Sequence, residues 1–130
     1  MQKAMTIAYA VGRNLYLNIT NRCPCACTFC IRTMCDGAYG SDPLWLEHEP
    51  SMEEIRAALD KEDLSQYEEV VFCGYGEPTF RWDDIAWVCD QLRAAVHIDS
   101  ALHAAAVLGL YVADAAAVGR HPRACLLLHI

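Results

Sequence analysis

Apolar and polar residues alternate near the start of the chain in a way that is typical of β-strands. Residues 5–19 alternate loosely and are rich in Ile, Tyr, Val and Leu, with a polar break at residues 12–14. Strand-forming residues on both sides of a short turn predict a hairpin, whose second strand is residues 15–19. A further apolar run, residues 69–73, is typical of a buried strand. The first 73 residues are therefore expected to contain three strands.

Two segments with helical periodicity lie between and after these strands. Ser51 precedes Glu54 by three residues, which matches a capping box at the start of a helix. The apolar residues behind it share one helical face: Ile55, Ala58 and Leu59. A second helix is predicted to begin at Trp82, and its apolar face consists of Ile85, Val88, Cys89 and Leu92. The alternation of strands, loops and helices predicts parallel βαβ units and an α/β fold.

Two loops of unusual composition follow predicted strands. Residues 20–33 are rich in cysteine, and residues 73–79 combine two glycines with a glutamate and a proline. In parallel sheets the functional residues gather on loops that leave the carboxyl ends of the strands. We therefore expect both loops to lie at this end of the sheet.

The composition changes at about Ala94. Eleven of the last 37 residues are alanine, lysine is absent, and strand patterning is lost. We interpret residues 1–93 as one unit and residues 94–130 as an alanine-rich tail that is helical or irregular. The tail is either an ordinary alanine-rich helix or a segment foreign to the preceding fold: a truncated or out-of-frame ending, or an unrelated extension.

Length and charge narrow the class of protein. The 130 residues suffice for one compact domain, and 55% apolar content argues against disorder. A net charge of -7 argues against a nucleic-acid surface, which needs clustered Lys and Arg. The apolar N-terminal run is too short for a secretory signal, and no run reaches the ~18 residues of a spanning helix. We expect a cytoplasmic protein with no nucleic-acid or membrane partner.

The chain has eight cysteines, and five of them fall within thirteen residues. Cys23, Cys27 and Cys30 have the spacing C-x3-C-x2-C. Three thiolates at this spacing can each bind one iron of a cubane iron–sulfur cluster, which leaves the fourth iron without a protein ligand. A small molecule with an amine and a carboxylate can chelate that iron.

A four-sulfur zinc site that also uses Cys25 is the alternative interpretation. The absence of a second C-x2-C or H-x3-H pair at zinc-finger distance weakens it. Taken individually, Cys25 and Cys35 are interpreted as thiols without a ligand role. The remaining cysteines are interpreted as small buried apolar residues: Cys73, Cys89 and Cys125.

Residues 18–30 read Asn-Ile-Thr-Asn-Arg-Cys-Pro-Cys-Ala-Cys-Thr-Phe-Cys, which resembles the cluster loop of the radical S-adenosylmethionine (radical SAM) superfamily. The aromatic Phe29 before the last cysteine is part of that pattern, and in the family this ring lies near the adenine. A second run resembles the family's Gly-Gly-Glu-Pro motif, where the backbone and the glutamate receive the methionine amino group: Gly74, Tyr75, Gly76, Glu77 and Pro78. The amino-acid sequences of both runs resemble those of radical SAM proteins associated with TatD-type nucleases.

The resemblance implies a [4Fe-4S] cluster on Cys23, Cys27 and Cys30, with S-adenosylmethionine bound by residues 74–78. Reductive cleavage then gives methionine and a 5′-deoxyadenosyl radical, which abstracts hydrogen from an unknown substrate. An electron donor such as flavodoxin or ferredoxin is an expected partner.

The resemblance covers about residues 5–93 and implies the start of a partial (β/α) barrel with parallel strands. A six-unit barrel needs about 190 residues, so the barrel is expected to be incomplete. Whether the chain is a catalyst is left open. The alternatives are a non-catalytic metal-binding remnant and a small zinc-binding interaction module.

Overall fold

The computed structural model describes residues 1–28, 30–95, 111–112 and 126–129. The strands are β1 (Ala8–Val11), β2 (Asn14–Leu17), β3 (Glu69–Phe72), β4 (Tyr111–Val112) and β5 (Leu126–His129). The α-helices are α1 (Met52–Leu59) and α2 (Trp82–Ala95). Short 3-10 helices span Ile31–Thr33, Leu64–Gln66 and Pro78–Arg81.

The described strands form one sheet in the order β1-β2-β3-β5-β4. β1 and β2 are antiparallel and join through a tight turn in which Gly12 has a φ of 61°, a conformation that suits glycine. β2 and β3 are parallel, with Leu15 opposite Val70. The predicted hairpin and the parallel pairing of the next two strands are therefore confirmed.

The sheet continues through two strands of the alanine-rich tail, which we expected to be helical or irregular. β5 pairs antiparallel with β3, and β4 pairs antiparallel with β5. An open edge at β3 offers unpaired backbone groups to which another strand can form hydrogen bonds. The amino-acid composition of the tail does not indicate this pairing. At these six residues the structure differs from the expectation, while residues 96–110, 113–125 and 130 lie outside the described part.

Helix α1 begins as its sequence predicts. Ser51 Oγ accepts a hydrogen bond from the backbone N–H of Glu54 at 3.2 Å, and Glu54 Oε2 accepts one from the N–H of Ser51 at 2.8 Å. This reciprocal capping satisfies two backbone donors that the first helical turn leaves unpaired. The predicted capping box is confirmed.

The apolar faces of both helices pack against one side of the sheet. The strand residues in this core are Leu15, Leu17, Val70 and Phe72. The helix residues in it are Ile55, Leu59, Ile85, Val88, Cys89 and Leu92. Fully burying one Leu, Ile or Val contributes about 1.5–3 kcal/mol, so this cluster anchors the helices and the strands between them.

The opposite side of the sheet is covered by the connection between β2 and α1. Tyr9, Leu44 and Tyr75 form a second buried cluster there, and Trp45 packs against it. The Asn21 amide pairs with the backbone of Leu46, donating at 2.7 Å and accepting at 3.0 Å. This connection therefore runs back along the end of β2, where the cysteine loop begins.

No helix in the described ranges is long and apolar enough to cross a membrane.

Candidate functional site

The two unusual loops meet at one end of the sheet. Because β2 and β3 are parallel, the residues after Leu17 and those after Phe72 leave the same edge. A cavity of about 40 Å³ lies between them. It is lined by Cys23, Cys25, Cys27, Cys30, Arg32, Cys73, Gly74, Tyr75, Gly76, Glu77 and Pro78. The predicted meeting of the loops at the carboxyl ends of parallel strands is confirmed.

Backbone hydrogen bonds hold the second loop to the first. The N–H of Cys73 donates to the Leu17 carbonyl at 3.0 Å, which extends the parallel pairing by one residue. The N–H of Glu77 donates to the Arg22 carbonyl at 2.7 Å. Residues 73–77, which form one wall of the cavity, are therefore joined at both ends to the segment that begins with β2.

The glycines of the second loop face the end of β2. A Cβ at Gly74 would overlap the side-chain amide of Asn18, and a Cβ at Gly76 would overlap the carbonyl of Thr20. The sequence analysis placed these glycines in a motif that receives a ligand, and both do line the cavity. The structure adds a second reason for glycine, since the two chain segments lie too close together for any side chain.

The side chain of Tyr75 contacts the segment that follows the cysteine loop. Its hydroxyl donates to the carbonyls of Cys35 at 2.5 Å and Gly37 at 3.1 Å, and its ring lies edge-on to Trp45 with centroids 5.4 Å apart. Tyr75 is only 5% exposed. Tyr75 therefore lines the cavity, and its hydroxyl holds the segment that follows the cysteine loop.

Glu77 begins the 3-10 helix Pro78–Arg81. Its Oε1 accepts hydrogen bonds from the backbone N–H of Thr79 at 3.2 Å and from Thr79 Oγ1 at 2.8 Å. Pro78 is the buried first residue of that helix. These contacts fix the glutamate at the rim of the cavity.

Five described cysteines line the cavity, two more than the three predicted ligands Cys23, Cys27 and Cys30. Cys25 is exposed and lies near Cys23. Desolvation first, and then the neighbouring Cys23, raise the pKa of the Cys25 thiol above its ordinary value. Cys25 therefore lines the cavity, and its interpretation as a thiol without a ligand role stays a prediction.

Cys73 is half-buried and lines the cavity, so its interpretation as a small buried apolar residue is wrong. The same interpretation is confirmed for Cys89, which is 8% exposed and whose pKa is raised by burial. Cys35 is exposed. Two residues of the sequence analysis, Phe29 and Cys125, lie outside the described residues.

The donor chemistry of the cavity suits an iron–sulfur cluster, since thiolates are the usual ligands of such clusters. Within the described ranges, however, no three His, Cys, Asp or Glu side chains converge closely enough to hold a metal ion. A cavity of about 40 Å³ has room for about three water molecules, whereas small-molecule pockets measure about 300–1,000 Å³. As described, the cavity is therefore smaller than a cofactor pocket.

The two arginines that flank the cysteines differ in position. The Arg32 guanidinium lines the cavity and lies 4.6 Å from the ring centroid of Trp45. The Arg22 guanidinium lies 4.8 Å from the ring centroid of Phe80 and is not among the described residues that line the cavity. Both arginines lie close to the cysteines in the sequence, so the sequence does not indicate which of them lines the cavity. The direction of each side chain depends on its aromatic partner.

Comparisons with protein-family models, with curated proteins and with solved structures find no match to this chain. The functional assignment below therefore depends on the residues and contacts of the chain itself.

Proposed function

We propose that this chain is a radical SAM protein that holds a [4Fe-4S] cluster through Cys23, Cys27 and Cys30 and binds S-adenosylmethionine beside residues 74–78. One observation carries the proposal: the C-x3-C-x2-C loop and the Gly-Tyr-Gly-Glu-Pro loop line the same cavity. These runs are more than 40 residues apart in the sequence. The parallel pairing of β2 and β3 brings both loops to one edge of the sheet, and the support for the proposal is that both motifs fall on these two loops.

The residues of the chain have distinct roles in this proposal. The three cysteines supply thiolates, and Glu77 accepts charge-assisted hydrogen bonds from the methionine ammonium. Gly74 and Gly76 keep the backbone of the second loop close to the end of β2. When bound, the cluster supplies the electron for reductive cleavage of S-adenosylmethionine, which yields the 5′-deoxyadenosyl radical.

A reducing compartment such as the cytoplasm suits this chemistry. No disulfide joins the described cysteines, and thiolate ligands must stay reduced to bind iron. Flavodoxin or ferredoxin is the class of electron donor that the proposal requires.

Anaerobic reconstitution with iron and sulfide tests the proposal. We expect about four iron and four sulfide per chain, the composition of one cubane cluster. On reduction with S-adenosylmethionine, methionine and 5′-deoxyadenosine should form. Cys27→Ser should abolish the cluster absorption, and Cys35→Ser should leave it unchanged as the matched control. A wild-type protein without a cubane spectrum, or a Cys27→Ser protein that retains it, contradicts the proposal.

A zinc-binding interaction module is the second candidate, and the position of Cys25 and Cys73 in the same cavity favours it. Four thiolates complete a structural zinc site. This candidate predicts a colourless, air-stable protein with one zinc ion, which elemental analysis distinguishes from a brown iron protein. A cluster that forms but does not cleave S-adenosylmethionine indicates instead a non-catalytic metal-binding remnant.

A further inference from the structure

Five thiols surround a cavity that has little room for anything else. The cavity measures about 40 Å³ and is lined by Cys23, Cys25, Cys27, Cys30 and Cys73. Across the described ranges, no three side chains of the metal-binding types converge on one point. A disulfide needs neither a third donor nor added space, because two thiols lose their hydrogens and the sulfur atoms move together. The pairing of two thiols is therefore a reaction that fits the cavity as described.

Cys25 is the thiol of this cavity that is open to solvent. Its side chain is exposed, whereas the other four lining cysteines are half-buried. Among the groups near Cys25, the one with the largest effect on its thiol is Cys23. An oxidant in solution therefore reaches Cys25 more easily than the other four thiols, and Cys23 is its neighbour.

The backbone between these two cysteines permits a short crosslink. Only Pro24 separates them, and Cα atoms two residues apart lie at most about 7 Å from each other. A disulfide spans about 4.4–6.8 Å between Cα atoms. The proline ring fixes one backbone dihedral, so less chain entropy is lost when the crosslink closes. A ring this short is strained, and strained or exposed disulfides are readily reduced.

We propose that Cys25 and Cys23 form a reversible disulfide that withdraws Cys23 from metal binding when the protein is oxidised. A peroxide is the class of oxidant. One thiolate attacks hydrogen peroxide, which breaks the O–O bond and gives a sulfenic acid and hydroxide. The second thiol then attacks that sulfur, so that the S–S bond forms, the S–O bond breaks and water leaves. The hydroxide takes up the proton of the first thiol, so two thiols and one peroxide give one disulfide and two waters.

The disulfide itself does not rest on the proposed function. Its effect on iron does, because Cys23 is one of the three cluster ligands in that proposal. A dithiol reductant reverses the reaction and returns both thiols. Cys25 thus has a role in which it regulates the site and binds no metal.

The test uses metal-free, fully reduced protein and one equivalent of hydrogen peroxide at about pH 8.5, close to the ordinary pKa of a cysteine thiol. The remaining thiols are alkylated, and trypsin then releases residues 23–32 as one peptide. We expect this peptide to lose two hydrogens, with the loss confined to residues 23–25 in its fragment spectrum. Two of the eight thiols of the chain should be consumed, and dithiothreitol should restore both.

Two variants give the controls. Cys25→Ser removes the exposed partner and keeps Cys23, so the disulfide within residues 23–25 should be lost. Cys35→Ser is the matched control, because Cys35 is also exposed but is not among the described residues that line the cavity. It should give the wild-type disulfide. Iron uptake is measured in parallel, and the oxidised wild-type protein should bind little iron until dithiothreitol is added.

The outcomes separate this inference from the proposed function. A wild-type protein without a disulfide in residues 23–25, or with Cys25 joined to another cysteine, overturns the inference. Equal iron uptake by oxidised and reduced protein also overturns it, since the crosslink then withdraws no ligand. If the disulfide forms but the reduced protein takes up no iron, the proposed function is wrong and the crosslink stands.

Discussion

Gly74 lies directly against the side chain of Asn18, with no room for a Cβ between them. Asn18 is fully buried, and its Nδ2 donates to the carbonyls of Thr6 at 3.2 Å and Leu44 at 2.8 Å. Because these bonds fix the amide, the loop after β3 must give way instead. The contact thus joins the last residues of β2 to the loop that carries Glu77, and it sets the distance between the two walls of the cavity.

Gly74→Ala should destabilise the protein by about 1–3 kcal/mol, the usual cost of overpacking a closely packed site. Urea denaturation under reducing conditions measures the change. In an Asn18→Gly background the same substitution should cost less, because the atoms that it would overlap are gone. An equal cost in both backgrounds would show that the Asn18 contact is not the cause.

Tyr75→Phe should loosen the segment that follows the cysteine loop. The variant leaves the carbonyls of Cys35 and Gly37 without the phenolic donor, and we expect a loss of about 1–2 kcal/mol. Amide hydrogen exchange should become faster in residues 31–46. Tyr39→Phe is the control, since Tyr39 is 79% exposed. Unchanged exchange in the Tyr75 variant would contradict this role.

Ser51→Ala should destabilise the protein by about 1 kcal/mol, since it removes the hydroxyl that caps the first turn of α1. Circular dichroism during thermal unfolding measures the change as a lower Tm. Ser51→Thr keeps the hydroxyl and should lose much less. If threonine is as damaging as alanine, the capping bond does not explain the effect.

Tyr67 should titrate at unusually high pH. The Tyr67 hydroxyl donates to Glu62 Oε2 at 2.6 Å, and this hydrogen bond is the first cause that raises the pKa of Tyr67 to about 12 from 10.0. Because the folded-state pKa is raised, the stabilisation is complete below pH 10 and is lost as the pH rises towards 12. A near-ultraviolet absorbance titration of the wild type minus Tyr67→Phe isolates this group.

Glu62→Gln provides the control for that titration. Without the carboxylate, the difference curve should move back towards a midpoint of 10. A wild-type midpoint already near 10 would mean that the hydrogen bond does not persist in solution.

Local patterns were sufficient for several elements of this fold. The capping box at Ser51 and the apolar face of α2 depend on residues within one or two helical turns, so their physics is contained in a short stretch of sequence. The hairpin of β1 and β2 is equally local, because a two-residue turn determines its register. The expectation that both unusual loops leave one edge followed from the parallel pairing that a strand–helix–strand order predicts.

Contacts between distant segments were not predictable in this way. Cys73 follows an apolar strand and matches a buried residue by local pattern, yet the pairing of β3 with β2 places it at the cavity. The tail has little strand pattern, yet its last described strand pairs with the open edge of β3. In both cases the sheet determines the neighbours of a residue, and those neighbours are far away in the sequence.

By itself, the amino-acid sequence determined the local elements of this protein, the kind of donor atoms in its site and the end of the sheet where they lie. The tertiary structure alone decided that Arg32 and not Arg22 faces the cavity, that Gly74 packs against Asn18, and that two further thiols line the cavity beside the three predicted ligands. The reason is that side-chain direction depends on which distant groups fill the space around it, and only the packed chain specifies those groups.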